Sequence, residues 1–410
     1  MDRGAHGRKI VKDTDKKRIG KTPITSGRTK SELVRTVGAF DKTFLIIVLI
    51  LLAFGTIMIF SASYAYAGAN MGDSYHYIKR QLIFAGLGTA VMYLVSHVDY
   101  KLIKLASIPI FAISWILMLL VVFSNSGEAH KGAARWLELG PISFQPSEIF
   151  KLAVIVLLAD YISHNYRKIK SEIFKEKMIY GFGVYLGVGI LVIFPFVMQD
   201  HLSGCIITLA LVACLMFLGG SDIKVIGILL GICFLAGLII VPLLLRHSMD
   251  RFDAWFDPFA QMQGKGWQPA QSLFAVSSGG FWGVGFGASK QKQLYLPEPQ
   301  NDYIYAILCE ELGFVGAISV ICLFVYLIYR GIKISLRAPD RFSSLLVAGI
   351  IFQIGIQTVL NICVVTNTIP STGISLPFFS YGGTSLLILM AEMGIVLNVS
   401  RYSLEDKEMK

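Results

Sequence analysis

Between Phe44 and Val399 the chain returns about ten times to an apolar run of roughly the length that crosses a bilayer. The runs are Phe44 to Tyr64, Leu82 to Val95, Leu102 to Phe123, Ile149 to Ile162, Ile179 to Val197, Cys205 to Leu218, Ile223 to Leu245, Tyr303 to Tyr329, Leu345 to Val365 and Ser385 to Val399. Inside lipid every backbone polar group has to be satisfied within the protein, so such runs are read as helices. Over 410 residues the composition is 54% hydrophobic and only 16% charged, which is not that of a soluble globular chain. The mean hydropathy of +0.63 agrees. The fold expected is therefore all-α and polytopic, with about ten transmembrane helices and one large loop, residues 246–302, between the seventh and eighth.

Charge sets the orientation. Short cytoplasmic loops collect Lys and Arg, and Arg167 to Lys177, Arg330 to Arg341 and the N-terminal tail all fall on one side of a ten-helix count. Both termini are expected in the cytoplasm, and the loops 127–148, 246–302 and 366–383 outside. The formal charge of +10 belongs to this flanking pattern and does not call for nucleic acid. Residues 1–43 read as a basic cytoplasmic tail, with helical spacing of Leu33, Val34, Val37 and Phe40 that suits an interfacial helix. Residues 44–402 form one membrane domain and 403–410 a short cytoplasmic tail. No apolar run precedes Phe44, so no cleavable signal is expected. The six cysteines lie in or beside apolar runs without metal-ligand spacing and read as small buried side chains.

The outer loops carry the polar chemistry. The first includes Arg135 and Trp136 and ends Gln145-Pro146-Ser147-Glu148, with Lys151 one turn into the next span. Ser147 reads as a helix N-cap, and Glu148 suits a helix N-terminus and could pair with Lys151. Between the fifth and sixth spans lies Gln199-Asp200-His201-Leu202-Ser203-Gly204. Nothing there has the ligand spacing of a zinc site, and His201 alone reads as a capped or solvated residue. The long loop holds Arg246, Arg251, Lys265, Lys290 and Lys292, five cations on the face that usually has few; an anionic, phosphate-bearing ligand would suit them. Its glycines, Gly280, Gly283, Gly285 and Gly287, follow no strand and read as turn or close-approach positions. From position alone Asp302 is the N-cap of the eighth helix, with Glu310 two turns below it. Thr366 to Ser385 offers hydroxyls, glycines and prolines without charge, as a re-entrant or cavity-lining element does.

Several of these stretches, in this order, resemble the SEDS family, the FtsW/RodA/SpoVE polytopic peptidoglycan polymerases, and are most similar to its division and sporulation branch. The resemblance rests on Ala134-Arg135-Trp136-Leu137, Gln145-Pro146-Ser147-Glu148 with Lys151, Gln271-Ser272-Leu273, Gln291-Lys292 with Tyr295-Leu296-Pro297-Glu298, Asp302, Glu310-Glu311-Leu312-Gly313, and Leu376-Pro377 with Ser380-Tyr381-Gly382-Gly383. It implies a ten-helix bundle that polymerises lipid II into glycan strands at the outer face of the cytoplasmic membrane. It also implies a class B penicillin-binding protein as partner.

Asp302 follows the family's Leu-Pro-Glu motif and takes the place of its essential aspartate, which favours a general base over a cap. Arg135, Lys151, Glu148, Gln271, Ser272, Lys292, Glu298 and Ser380 are the implied substrate-binding residues, with a divalent cation, magnesium or manganese, as a candidate assistant to the leaving diphosphate. The chain departs from the family at Gln199 to Gly204, where Gln-Pro-Asp-Leu-Gly is usual, and at Asn301, where Thr is usual. A lipid II flippase and a non-catalytic scaffold for the transpeptidase are the alternative readings.

Overall fold

A computed structural model describes residues 38–123, 135–139, 142–244 and 252–402. The expected interfacial helix, the C-terminal tail, Arg246 and Arg251 lie outside them. Helix α1 spans Lys42–Met71, α2 His76–His97, α3 Tyr100–Leu105 and α4 Ser107–Phe123. Strands β1 (Leu137–Leu139) and β2 (Ile142–Phe144) form an antiparallel hairpin with Leu137 opposite Phe144. There follow α5 (Pro146–Ile169), α6 (Phe174–Met198), α7 (Leu202–Leu218) and α8 (Ile223–Leu244). Beyond the long loop's α9 (Trp267–Ser278) come α10 (Ile304–Leu336), α11 (Arg341–Val365) and α12 (Gly383–Arg401).

Ten apolar segments of the sequence thus reappear as helical spans, one of them divided into α3 and α4. Six described helices are long and apolar enough to cross a membrane on length and composition, and three more apolar helices are shorter. Their exposed faces carry large apolar residues such as Leu94, Ile108 and Phe234, as lipid-facing surfaces do. Where helices meet, small residues let backbones approach, and packing takes the place of a hydrophobic driving force. On α2, a Cβ at Gly88 would stand 2.9 Å from Met390 of α12. At Gly349 of α11 it would stand 2.6 Å from Ile155 of α5. That contact fixes a register: α5 and α11 run in opposite directions, so Lys151 and Gln353, each four residues further toward the outer loops, lie at one level.

Capping anchors the other end of the bundle. Asp41 caps α1 through Phe44 N–H at 2.9 Å and pairs with Arg330 of α10. Asp340 caps α11 through Ser343 N–H at 3.0 Å and accepts from the Tyr100 hydroxyl at 2.6 Å.

The loops differ from simple connections. The expectation of one continuous eighth helix fails at Gly313, whose φ of 64° and ψ of −164° break α10. The Gly-rich stretch lies against that break: Val284 N–H donates to Glu310 O at 3.0 Å, Gly285 N–H to Glu311 O at 3.1 Å and Phe314 N–H to Gly280 O at 2.9 Å. A Cβ at Gly283 would fall 2.2 Å from Glu311 O, so only glycine allows these backbones to pair. The last outer loop does re-enter. Phe378 O sits over Gly55, where a Cβ would be 2.1 Å away. Gly55 is 16 residues before Met71, the end of α1 nearest this loop, about 24 Å along the helix axis.

Candidate active site

The re-entrant loop, the start of α10 and the outer ends of α2, α5, α7, α11 and α12 enclose a cavity of about 520 Å³. That is within the range of small-molecule sites. Asp302, Glu298, Arg135, Glu148, Lys151 and Ser380 all line it.

Asp302 is held by its main chain. Asn361 of α11 donates from Nδ2 to Asp302 O and to Ile374 O, both at 2.7 Å. The residue before Asp302 is fixed in the same way, since Ser380 Oγ donates to Asn301 O at 2.9 Å and itself accepts from Leu376 N–H at 2.7 Å. Tyr381 N–H reaches Gln300 O at 2.9 Å. The Ser380 expected to touch substrate therefore spends its hydroxyl on loop geometry, although it still lines the cavity. Gly373, at φ 69°, lies beside the Asp302 carboxyl: a Cβ there would be 3.3 Å from Oδ2. The N-cap of α10 is Tyr303, without a side-chain cap bond, which displaces the expectation that Asp302 caps this helix. Glu298 accepts from Asn301 Nδ2 at 3.0 Å.

Lys151 is almost fully buried and lies 2.8 Å from Glu148 Oε1. The pair is the arrangement a cation in a span requires. The cap of α5 is Gln145, not Ser147; Pro146 takes the first helical position, and the buried Ser147 Oγ lines the cavity without a hydrogen-bond partner. Arg135 donates from Nη2 to Asp200 O at 2.5 Å and so ties the segment just before the hairpin to the α6–α7 turn.

Gln271, Ser272 and Lys292 are not on the cavity wall. Ser272 Oγ donates to Val365 O at 2.7 Å and so seats α9 on α11, and Gln271 beside it is buried. Lys292 Nζ bonds Glu311 Oε1 at 2.7 Å and Ser61 Oγ at 2.9 Å, with 4% of the residue exposed. The cation that looked available to a phosphate is instead neutralised inside the bundle. Glu310 likewise serves the loop, accepting from Ser289 Oγ at 2.5 Å, Lys290 N–H at 2.9 Å and Gln291 N–H at 3.3 Å. Two carboxylates thus fasten the Ser289–Lys292 turn to α10, and Lys265 and Lys290 remain exposed.

Other lining residues had not been singled out: Gln353 and Gln357 on α11, Glu392 on α12, Tyr77 and Arg80 on α2, and Gly373. Gln353 Nε2 donates to the two oxygens of the fully buried Glu392 at 3.1 and 3.3 Å. A sequence signal existed, since Asn361, Gln353, Gln357 and Glu392 interrupt otherwise apolar spans, where polar residues mark cavities. Among the described residues no cluster of three or more His, Cys, Asp or Glu could hold a metal ion.

The chain matches the family described as Cell cycle protein (FTSW_RODA_SPOVE) over residues 41–405. It is 39% identical to Stage V sporulation protein E of Bacillus subtilis (strain 168) over 363 residues, 88% of this chain and 97% of that one. It is 35% identical to a probable peptidoglycan glycosyltransferase FtsW of Geobacter sp. (strain M18) over 372 residues, 90% and 98% of the two chains. Among solved structures, a chain described under "Structural coordination of polymerization and crosslinking by a peptidoglycan synthase complex" superposes with a TM-score of 0.71 at 24% identity, covering 88% of this chain and 98% of that one. The rod shape determining protein RodA of Thermus thermophilus gives 0.64 at 24% identity, covering 90% and 99%. The last two likenesses speak for the fold; with the sequence matches, this multi-pass membrane chain belongs to the FtsW/RodA/SpoVE family of cell cycle proteins.

Proposed function

We propose that this chain is a peptidoglycan glycosyltransferase that polymerises lipid II at the outer face of the cytoplasmic membrane, with both termini in the cytoplasm. The observation that carries the reading is the Asp302 carboxylate, set by its clamped main chain in the wall of a cavity shared with the Lys151–Glu148 pair and Arg135.

In the reaction Asp302 takes the proton of the acceptor sugar's 4-hydroxyl. That oxygen attacks the anomeric carbon of the lipid-linked donor, and the bond from that carbon to the diphosphate oxygen breaks. The electron pair leaves on undecaprenyl diphosphate. A base of this kind must come within hydrogen-bond reach of the hydroxyl. Lys151 and Arg135 are the cations in place to meet the charge that develops on the leaving diphosphate. Lys292 has no part in this step. The described residues gather no group of three or more carboxylates, His or Cys that could hold a divalent ion. A magnesium or manganese ion brought by the diphosphate would find Glu298 and Asp302 in the same wall. A class B penicillin-binding protein is the proposed partner, because the structural neighbour belongs to a complex that couples polymerisation with crosslinking.

The test is polymerisation of lipid II by purified protein, read as glycan strands on a gel. Wild type makes strands, and Asp302→Asn does not. Translocation of lipid II without strands would favour a flippase. Wild-type rates from Asp302→Asn would remove the base assignment.

A further inference from the structure

The α6–α7 turn, where the chain departs from the family pattern, takes no part in the reaction above, yet two neighbouring segments hold it in place. Gln199 Nε2 donates to Met118 O of α4 at 2.7 Å, and Arg135 binds Asp200 O. Asp200 itself stands at φ 49°, a left-handed conformation that costs a non-glycine residue free energy and persists only where the surroundings impose it. The two contacts and the turn lead to one side chain, His201, which is 6% exposed and lines the cavity with Ser203 and Gly204. Its ring packs edge-on against Phe196, with centroids 5.5 Å apart. Gly204 makes room for it, since a Cβ there would stand 2.9 Å from Cε1 and 3.0 Å from Nδ1.

The geometry points to His201 as a ligand-contacting residue that donates a hydrogen bond to the diphosphate of a prenyl diphosphate in the cavity. Of the three formal cations of this wall, Lys151 and Arg135 are partly committed, to Glu148 and to the Asp200 carbonyl, and the third, Arg80, sits exposed in the first turns of α2. Four carboxylates, those of Glu148, Glu298, Asp302 and Glu392, line the same cavity. A diphosphate entering there needs directed donors in addition to net charge. An imidazole supplies an N–H in either protonation state, from one ring nitrogen or both. A hydrogen bond to an ionised group contributes enough for roughly a tenfold change in affinity or more. This inference rests on the proposed reaction, because it takes the lipid diphosphate as the occupant.

The experiment measures binding of undecaprenyl diphosphate to full-length protein in detergent, together with thermal unfolding and lipid II polymerisation. His201→Phe keeps the ring stack on Phe196 and removes the donor. His201→Asn and His201→Gln lose the stack and keep an amide N–H near the place of Nδ1 or Nε2. We expect His201→Phe to weaken binding about tenfold and to raise KM more than it lowers kcat, with unfolding unchanged. At least one amide variant should stay within about threefold of wild type even where it unfolds earlier. Wild-type affinity in His201→Phe, or losses in both amide variants as large as in His201→Phe, would overturn the assignment and leave His201 a packing residue. A wild type that polymerises lipid II but binds no diphosphate overturns this inference alone, whereas a wild type that makes no strands removes the functional reading beneath it.

Discussion

Lys292→Met separates two roles that the sequence could not, phosphate contact and internal counter-ion. Glu311 has no exposed side-chain surface, and its carboxylate accepts from Lys292 Nζ at 2.7 Å and from Ser61 Oγ at 2.7 Å to each oxygen. Removing the ammonium leaves a buried charge with one hydroxyl donor, a loss of about 3–5 kcal/mol. At roughly 2 cal/mol/K per residue of unfolding entropy, a chain of 410 residues converts that into an apparent Tm lowered by about 4–6 °C. Glu311→Gln removes the stranded charge, so the double variant should recover more than half of the loss although it lacks the ion pair altogether. Thermal unfolding of the four proteins in detergent gives the cycle, and polymerisation below the transition gives activity. Folded Lys292→Met/Glu311→Gln should polymerise lipid II within a few-fold of wild type. If it is stable but inactive, the ammonium serves the substrate and the argument from burial is wrong.

Gly373→Ala would place a methyl 3.3 Å from Asp302 Oδ2 at a backbone φ of 69°, a strain of about 1–2 kcal/mol apart from the crowding. Strand synthesis should fall at least tenfold, about the effect of a small misplacement of a reacting group, while prenyl diphosphate still binds; unaltered synthesis would show that Gly373 does not set the carboxylate. At the N-terminus of α11, burial works to raise the Asp340 carboxyl, but the Tyr100 hydroxyl and the Ser343 N–H and hydroxyl, with Lys104 nearby, hold it below its ordinary value. A carboxyl whose pKa is depressed in the folded state stabilises above its unfolded pKa, near 4, and that contribution disappears as pH falls through the folded value. Asp340→Asn should therefore unfold earlier at pH 7 and show a shallower loss of stability below about pH 4; parallel acid profiles would count against the assignment.

Read alone, the sequence determined the apolar spans, the loops between them that carry the polar residues and Asp302 as the acid to test. Each follows from a local quantity: apolar length against bilayer thickness, the distribution of Lys and Arg, or a short motif. It did not determine which charges are available to a ligand. Lys292, Glu310 and Glu311 look like site residues because they lie within ten positions of Asp302, yet a broken helix and a Gly-rich backbone ladder fold them into the bundle, where Lys292 pairs with Glu311 and Glu310 holds the Ser289–Lys292 turn. Conversely Gln353, Gln357 and Glu392 are distant in sequence and reach one cavity because α11 and α12 pack around it, while Asn361 holds the Asp302 main chain. The cost of burying charge depends on the complete three-dimensional set of partners, which no local window contains. Tertiary structure alone decided that Asp302 faces a cavity with Lys151 and Glu148 while Lys292 does not.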